Sequence, residues 1–164
     1  MMKLLFVWMF SALSIEANAQ EEVKKLYDPK ANATADIDAA IKKAAAENKY
    51  VLIQAGGNWC GWCIEFARFA KADFKIDSII NTSFVWYHLN WSTENENRKI
   101  FAQYGYPQRF GFPAFLILNG KGERIHTQNS EYLENGRKSY DKNKVQSFLE
   151  MWSPRVLNPA FYKN

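Results

Sequence analysis

Apolar positions recur along this chain in two rhythms, and each change of rhythm marks a change of element. From Asp36, the residues Ile37, Ile41, Ala44 and Ala45 return to one side of a helical period, which predicts a helix capped by Asp36 and leaving near Asn48. Tyr50 to Ala55 is then a nearly continuous apolar run, the pattern of a short strand covered on both faces, and Gly56-Gly57-Asn58 breaks it. Helical composition resumes at Ile64, with Phe66, Phe69 and Ala70 on one stripe. Residues 83–90 predict a second strand, and Glu94 to Tyr104 a helix ended by Gly105. Pro113 to Leu118 predicts a third strand, which Asn119-Gly120-Lys121-Gly122 turns into a fourth around Arg124 to Gln128. After a polar insertion over 129–140, a last helix starts near Asp141, carries Val145, Phe148, Leu149 and Trp152 inward, and stops at Pro154. Helices alternating with strands and then a hairpin give an α/β sandwich: a mixed central sheet with helices on both faces.

The first nineteen residues follow neither rhythm. Lys3 is a short positive head, Leu4 to Leu13 is largely apolar, and Ala17-Asn18-Ala19 offers small residues before Gln20, the pattern of a cleaved secretory signal over 1–19. The apolar stretch is about half the roughly 20 residues a spanning helix needs, so the mature chain is not expected to cross a membrane. The expected address is a bacterial periplasm or the exterior, where disulfides form and have partners. A lead-in over 20–35, one domain over 36–154 and a tail over 155–164 complete the expected organisation. The chain has 21 Lys and Arg against 17 Asp and Glu, and the positive residues are scattered through surface positions such as Lys24, Lys42, Arg137 and Lys144. Without a basic stripe, no nucleic-acid partner is expected.

Cysteine usage narrows the chemistry further. The chain has two, and they stand three apart in Trp59-Cys60-Gly61-Trp62-Cys63. Such a pair can close on itself and expel a bound partner, which points to dithiol/disulfide exchange. An inert staple is the alternative, but the loop it closes is very short and short loops stabilise least. A structural zinc site would have to recruit His88 and His126, each in strand-like surroundings far along the chain. A copper or iron–sulfur centre shared between two chains stays open on ligand count alone. The reading adopted needs neither metal nor organic cofactor. Because the motif follows a strand and opens a helix, Cys60 falls at a helix N-terminus, where unpaired N–H groups and the helix dipole favour an anion. Cys60 is thus the expected attacking thiolate, exposed, and Cys63, one turn further in and more buried, the resolving one.

These residues resemble the thioredoxin family. The matching pieces are the buried strand, Trp59-Cys60-Gly61-Trp62-Cys63 opening a helix, Tyr104-Gly105 ending the next, and Gly111-Phe112-Pro113 leading into Phe115-Leu116-Ile117-Leu118 with Asn119-Gly120 at the hairpin. They extend over most of residues 36–152 in the family's order. The resemblance implies a thioredoxin-like three-layer sandwich, a cis bond before Pro113, and a client polypeptide docked along Phe112 and Pro113, with Trp59, Gly61 and Trp62 at the mouth. Where family members often carry a buried Asp, this chain has Gln54, which takes no proton at neutral pH. Resolution by Cys63 then depends on Glu65, on water or on substrate, and Glu65 is as readily a surface charge.

A second departure is Gly61-Trp62 between the cysteines, where strong oxidases and isomerases of the family carry a histidine. Lacking that cation, the pair is expected to act on client proteins as reductant or isomerase rather than as strong oxidase, recharged by a membrane electron-transfer partner. A longer connection, Tyr106-Pro107-Gln108-Arg109-Phe110, should lie near the cysteines and either select clients or serve as an ordinary loop. His88 and His126 are expected to be satisfied strand residues, and Trp59 to report the redox state by its fluorescence. The alternative function is a thioredoxin-like polypeptide-binding or chaperone module without redox turnover.

Overall fold

A computed structural model describes residues 26–163; the secretory signal expected over 1–19 lies outside them. Four strands form the sheet: β1 (Tyr50–Gly56), β2 (Phe84–Asn90), β3 (Ala114–Leu118) and β4 (Arg124–Asn129). Their order is β2-β1-β3-β4, with β2 parallel to β1 and both β1–β3 and β3–β4 antiparallel. Among the described residues, six α-helices flank them: α1 (Ala33–Ala46), α2 (Gly61–Ala72), α3 (Phe74–Ser83), α4 (Arg98–Gln103), α5 (Lys142–Met151) and α6 (Pro154–Leu157).

The pleat of β1 and β3 divides the core into two layers. Val51, Ile53, Ala55, Leu116 and Leu118 face α1 and α4, where they meet Ile37, Ala44 and Phe101. Leu52, Phe115 and Ile117 face α2, α3 and α5, where they meet Phe66, Ile76, Ile80, Val145 and Leu149. Each Val, Leu, Ile or Phe among them, fully withdrawn from water, contributes about 1.5–3 kcal/mol before entropy is counted. This is the three-layer sandwich and mixed sheet expected from the hydrophobic pattern.

Four local expectations need correction. Helix α1 is capped by Asn32, whose Oδ1 accepts from Ala35 N at 3.2 Å, and Asp36 lies in its first turn. The helix expected from Glu94 begins only at Arg98. Asn90 and Asn97 side chains bond across the preceding loop, to Asn95 O at 2.8 Å and Asn90 O at 2.9 Å, and hold residues 94–97 out of the helix. Residues 74–83, given no element in the sequence reading, form α3, with Asp73 Oδ1 accepting from Lys75 N and Ile76 N. Pro154 ends α5 but also opens the short α6, a position where its missing N–H is no loss.

Candidate functional site

The site is built where β1 hands the chain to α2. Cys60 is the N-cap of α2, and its Sγ accepts from Cys63 N at 3.2 Å. The two cysteines are joined in a disulfide. Their asymmetry follows from helix geometry: Cys60 stands at the rim and keeps 5% of its surface, while Cys63, a turn inside, keeps none. The opening at Cys60 is narrower than the exposed sulfur expected, because Trp62, Phe112 and Leu26 pack around the cluster formed by the cysteines and Tyr27.

The remaining residues singled out from the sequence fall into two groups. Trp62 and Phe112 pack against the cysteine cluster, Trp59 and Gly61 flank Cys60 along the chain, and Pro113 follows Phe112. Trp59 is 60% exposed and is steered by its Nε1, which donates to Trp91 O at 2.7 Å, and by the edge of Phe112, with ring centroids 5.5 Å apart. A Cβ on residue 57 would collide with both that Nε1 and Trp91 O, so Gly57 makes the indole's position available. The Phe112–Pro113 peptide bond is cis. Trp62 packs edge-on against Tyr140, which donates its hydroxyl to Trp62 O at 3.0 Å. A cleft of about 480 Å³ lies beside Trp59, lined also by Pro29, Asn58, Trp91 and Glu94.

Gln54 and Glu65 lie on different sides of Cys63. Gln54 is buried beneath it, and its Nε2 donates to Cys63 O at 2.9 Å and to Tyr27 Oη at 2.8 Å, leaving Oε1 without a partner among the described residues. Glu65 is held on the flank of α2 by Arg68, at 2.7 Å, and by the Ser139 hydroxyl. The Arg68 hydrogen bond comes first in holding its carboxyl below the usual range, so at neutral pH it carries a charge rather than a proton. The 129–140 insertion, which carries no chemistry by its sequence, thus buttresses the site through Ser139 and Tyr140.

Two histidines were expected to be satisfied within their strands. His126 is, with its Nε2 3.1 Å from Gln128 Oε1 and its ring stacked on Trp152 at 4.0 Å. His88 is not: its Nε2 has no partner among the described residues. Its neighbours are aromatic, Trp86 at 4.8 Å and Tyr27 at 5.5 Å between ring centroids, and burial pushes its pKa down to about 4.

Tyr27 is the residue the sequence reading missed. Leu26-Tyr27-Asp28-Pro29 reads as a lead-in, yet Tyr27 is 1% exposed and packs on the cysteines. Asn58 fixes it by a reciprocal pair: Tyr27 N donates to Asn58 Oδ1 at 3.0 Å, and Asn58 Nδ2 to Tyr27 O at 2.7 Å. An aromatic beside an apolar residue and ahead of a turn was the available signal, but nothing in the spacing says which distant group it meets.

Known proteins can be set beside this geometry. Residues 32–120 match the model of a family described as Thioredoxin-like. No curated protein matches the chain. Among solved structures, it is similar to a disulphide isomerase from Xylella fastidiosa Temecula1, with a TM-score of 0.66 at 24% identity over 76% of this chain and 93% of that one. It is also similar to the DsbD C-terminal domain of Neisseria meningitidis in its reduced form, with a TM-score of 0.51 at 20% identity over 73% of this chain and 96% of that one. The oxidised form of that domain gives a TM-score of 0.50 at 18% identity, over 73% and 95%. Likenesses of this degree speak for the fold. With a family match over more than half of its length and a Cys60–Cys63 disulfide at the head of α2, the chain belongs to the thioredoxin-like family.

Proposed function

We propose that this protein is a thiol-disulfide oxidoreductase acting on client proteins. The observation that carries the reading is the unequal pair: Cys60 at the rim on a helix N-terminus, Cys63 sealed behind it. The helix amides favour a thiolate at Cys60. That thiolate attacks a client disulfide, the client S–S bond breaks, and one client sulfur leaves as a thiolate and takes up a proton. Cys63 then attacks Cys60 Sγ in the mixed disulfide and releases the second client thiolate. The client gains two electrons and the protein ends as the Cys60–Cys63 disulfide, so turnover needs a reducing partner.

Trp59, Gly61, Trp62, Phe112 and Pro113 receive the client in this reading, along the surface that adjoins the cleft. Gly61-Trp62 supplies no cation to the attacking sulfur, which favours reduction or isomerisation over strong oxidation. A periplasmic or secreted address suits the chemistry, with residues 1–19 removed and a membrane electron-transfer partner recharging the pair. Among the described residues, no helix is long and apolar enough to cross a membrane.

Replacing Cys63 by Ser tests the proposal. The variant is expected to accumulate client proteins bound through Cys60 and releasable by reductant, and the parent to reduce insulin when a dithiol donor is supplied. Partners bound equally by parent and variant with no reducible link would instead make the groove a polypeptide-binding module.

A further inference from the structure

Resolution requires Cys63 to act as a thiolate, and the buried side chain bonded to its carbonyl is Gln54, which takes no proton. Deepening the oxidoreductase reading, we propose that Tyr27 is the hydrogen-bond donor that stabilises the Cys63 thiolate while it displaces the client. Three observations converge on this assignment. First, phenol and sulfur both border the open space beside Gly56. A Cβ there would meet Cys63 Sγ and, at 2.8 Å, Tyr27 Oη, so both atoms share a space that only glycine leaves free. Second, Gln54 Nε2 donates to Tyr27 Oη, occupying it as an acceptor and leaving the phenol's own hydrogen for a further acceptor. Third, the Asn58 clamp fixes the backbone of Tyr27, so the ring is held rather than free to swing away.

The other groups around Cys63 do not fill this role. Gln54 uses its two amide hydrogens on Tyr27 and Cys63 O. Glu65, on α2 itself, is bound to Arg68 and Ser139. Lys71 lies at the far end of α2. From β2, His88 faces the edge of Tyr27, and Tyr140 is engaged with Trp62 O. Burial raises the Tyr27 phenol far above its ordinary range, so it keeps its proton and donates rather than acting as a base.

In the step, the Cys63 thiol gives its proton to water or to the departing client sulfur. The thiolate, held by the Tyr27 O–H, attacks Cys60 Sγ; the Cys60–client bond breaks and its electron pair leaves with the client. Once the disulfide forms, the charge that Tyr27 stabilised is gone.

The test uses the full chain with Cys60→Ser, which leaves Cys63 as the lone thiol, and titrates it by the ultraviolet absorbance of the thiolate. Tyr27→Phe, keeping the ring and removing the hydroxyl, is expected to raise the Cys63 pKa by about one unit, roughly tenfold less thiolate at a fixed pH. In the chain with both cysteines, the same change should slow release from the mixed disulfide about tenfold and leave alkylation of Cys60 unchanged. A folded Tyr27→Phe variant with an unshifted Cys63 titration overturns the assignment. Should that variant not fold, fluorotyrosine incorporated into the Cys60→Ser chain supplies a stronger donor at the same place. A downward shift of the Cys63 pKa then supports the assignment, and an unchanged value overturns it. Because the titration needs no client, it fails or succeeds independently of whether the parent protein turns over disulfides.

Discussion

Trp62 is where a single side chain decides most about direction. It sits between the cysteines, turned edge-on to Tyr140, and brings bulk and an indole without charge. A histidine there would place a partial positive charge beside Cys60 and favour its thiolate. Trp62→His is therefore expected to lower the Cys60 pKa by about one unit and to move the pair toward oxidising potentials, both read against glutathione and by pH-dependent alkylation. No change in either would mean that the helix amides alone set the acidity of Cys60. At this scale the sequence is legible where chemistry is local. Three-residue spacing puts Cys60 at the cap and Cys63 in the first turn of one helix, and their order decides which keeps the little exposure there is. Tyr27 and the unpartnered His88 were not legible, since both depend on which side chains the sheet brings together across long separations.

Elements are decided by their ends as much as by their stripes. Asp141 illustrates this, with its carboxylate accepting from Asn143 N at 2.9 Å and Lys144 N at 3.0 Å at the start of α5. Asp141→Ala should destabilise the protein by about 1 kcal/mol in urea unfolding, with the site's reactivity kept, because α5 packs behind Phe115 and not on the cysteines. A loss below a few tenths of a kcal/mol would show that the Val145–Phe148–Leu149 stripe alone holds the helix. Caps also explain what was misread. Helix α3 buries only Ile76 and Ile80 and leaves Phe74 at its head 89% exposed, so its apolar signal is both weak and misplaced. Helix α4 lost its expected first turn to asparagine side chains, which compete for backbone groups wherever the chain permits. Strands, by contrast, were legible to within a residue or two, since β1 and β3 are apolar runs with both faces covered.

The whole molecule joins these parts through one row of largely covered side chains, and that row carries a pH dependence. Gln54 and His88 are cross-strand partners in the parallel β1–β2 register, so they emerge on the same side of the sheet, under the helix that bears the cysteines. Burial keeps His88 neutral in the folded state down to about pH 4, whereas in the unfolded chain it titrates near 6.5. Between those values the unfolded chain binds a proton that the folded chain refuses, so stability is full above the unfolded pKa and falls as pH drops through the window. The linked loss is up to about 3 kcal/mol by pH 4. His126, also depressed by burial, adds in the same direction. Glu65, depressed by its Arg68 hydrogen bond, acts mainly below the window, where carboxylates in the unfolded chain begin to protonate. Urea unfolding between pH 7 and 4 should therefore show stability declining before the carboxylates titrate. His88→Leu, which removes the proton acceptor and the unpartnered nitrogen together, should flatten that decline. Parallel pH profiles for parent and variant would mean that His88 finds a partner for its proton without unfolding, and that the row beneath the cysteines is wetter than its burial implies.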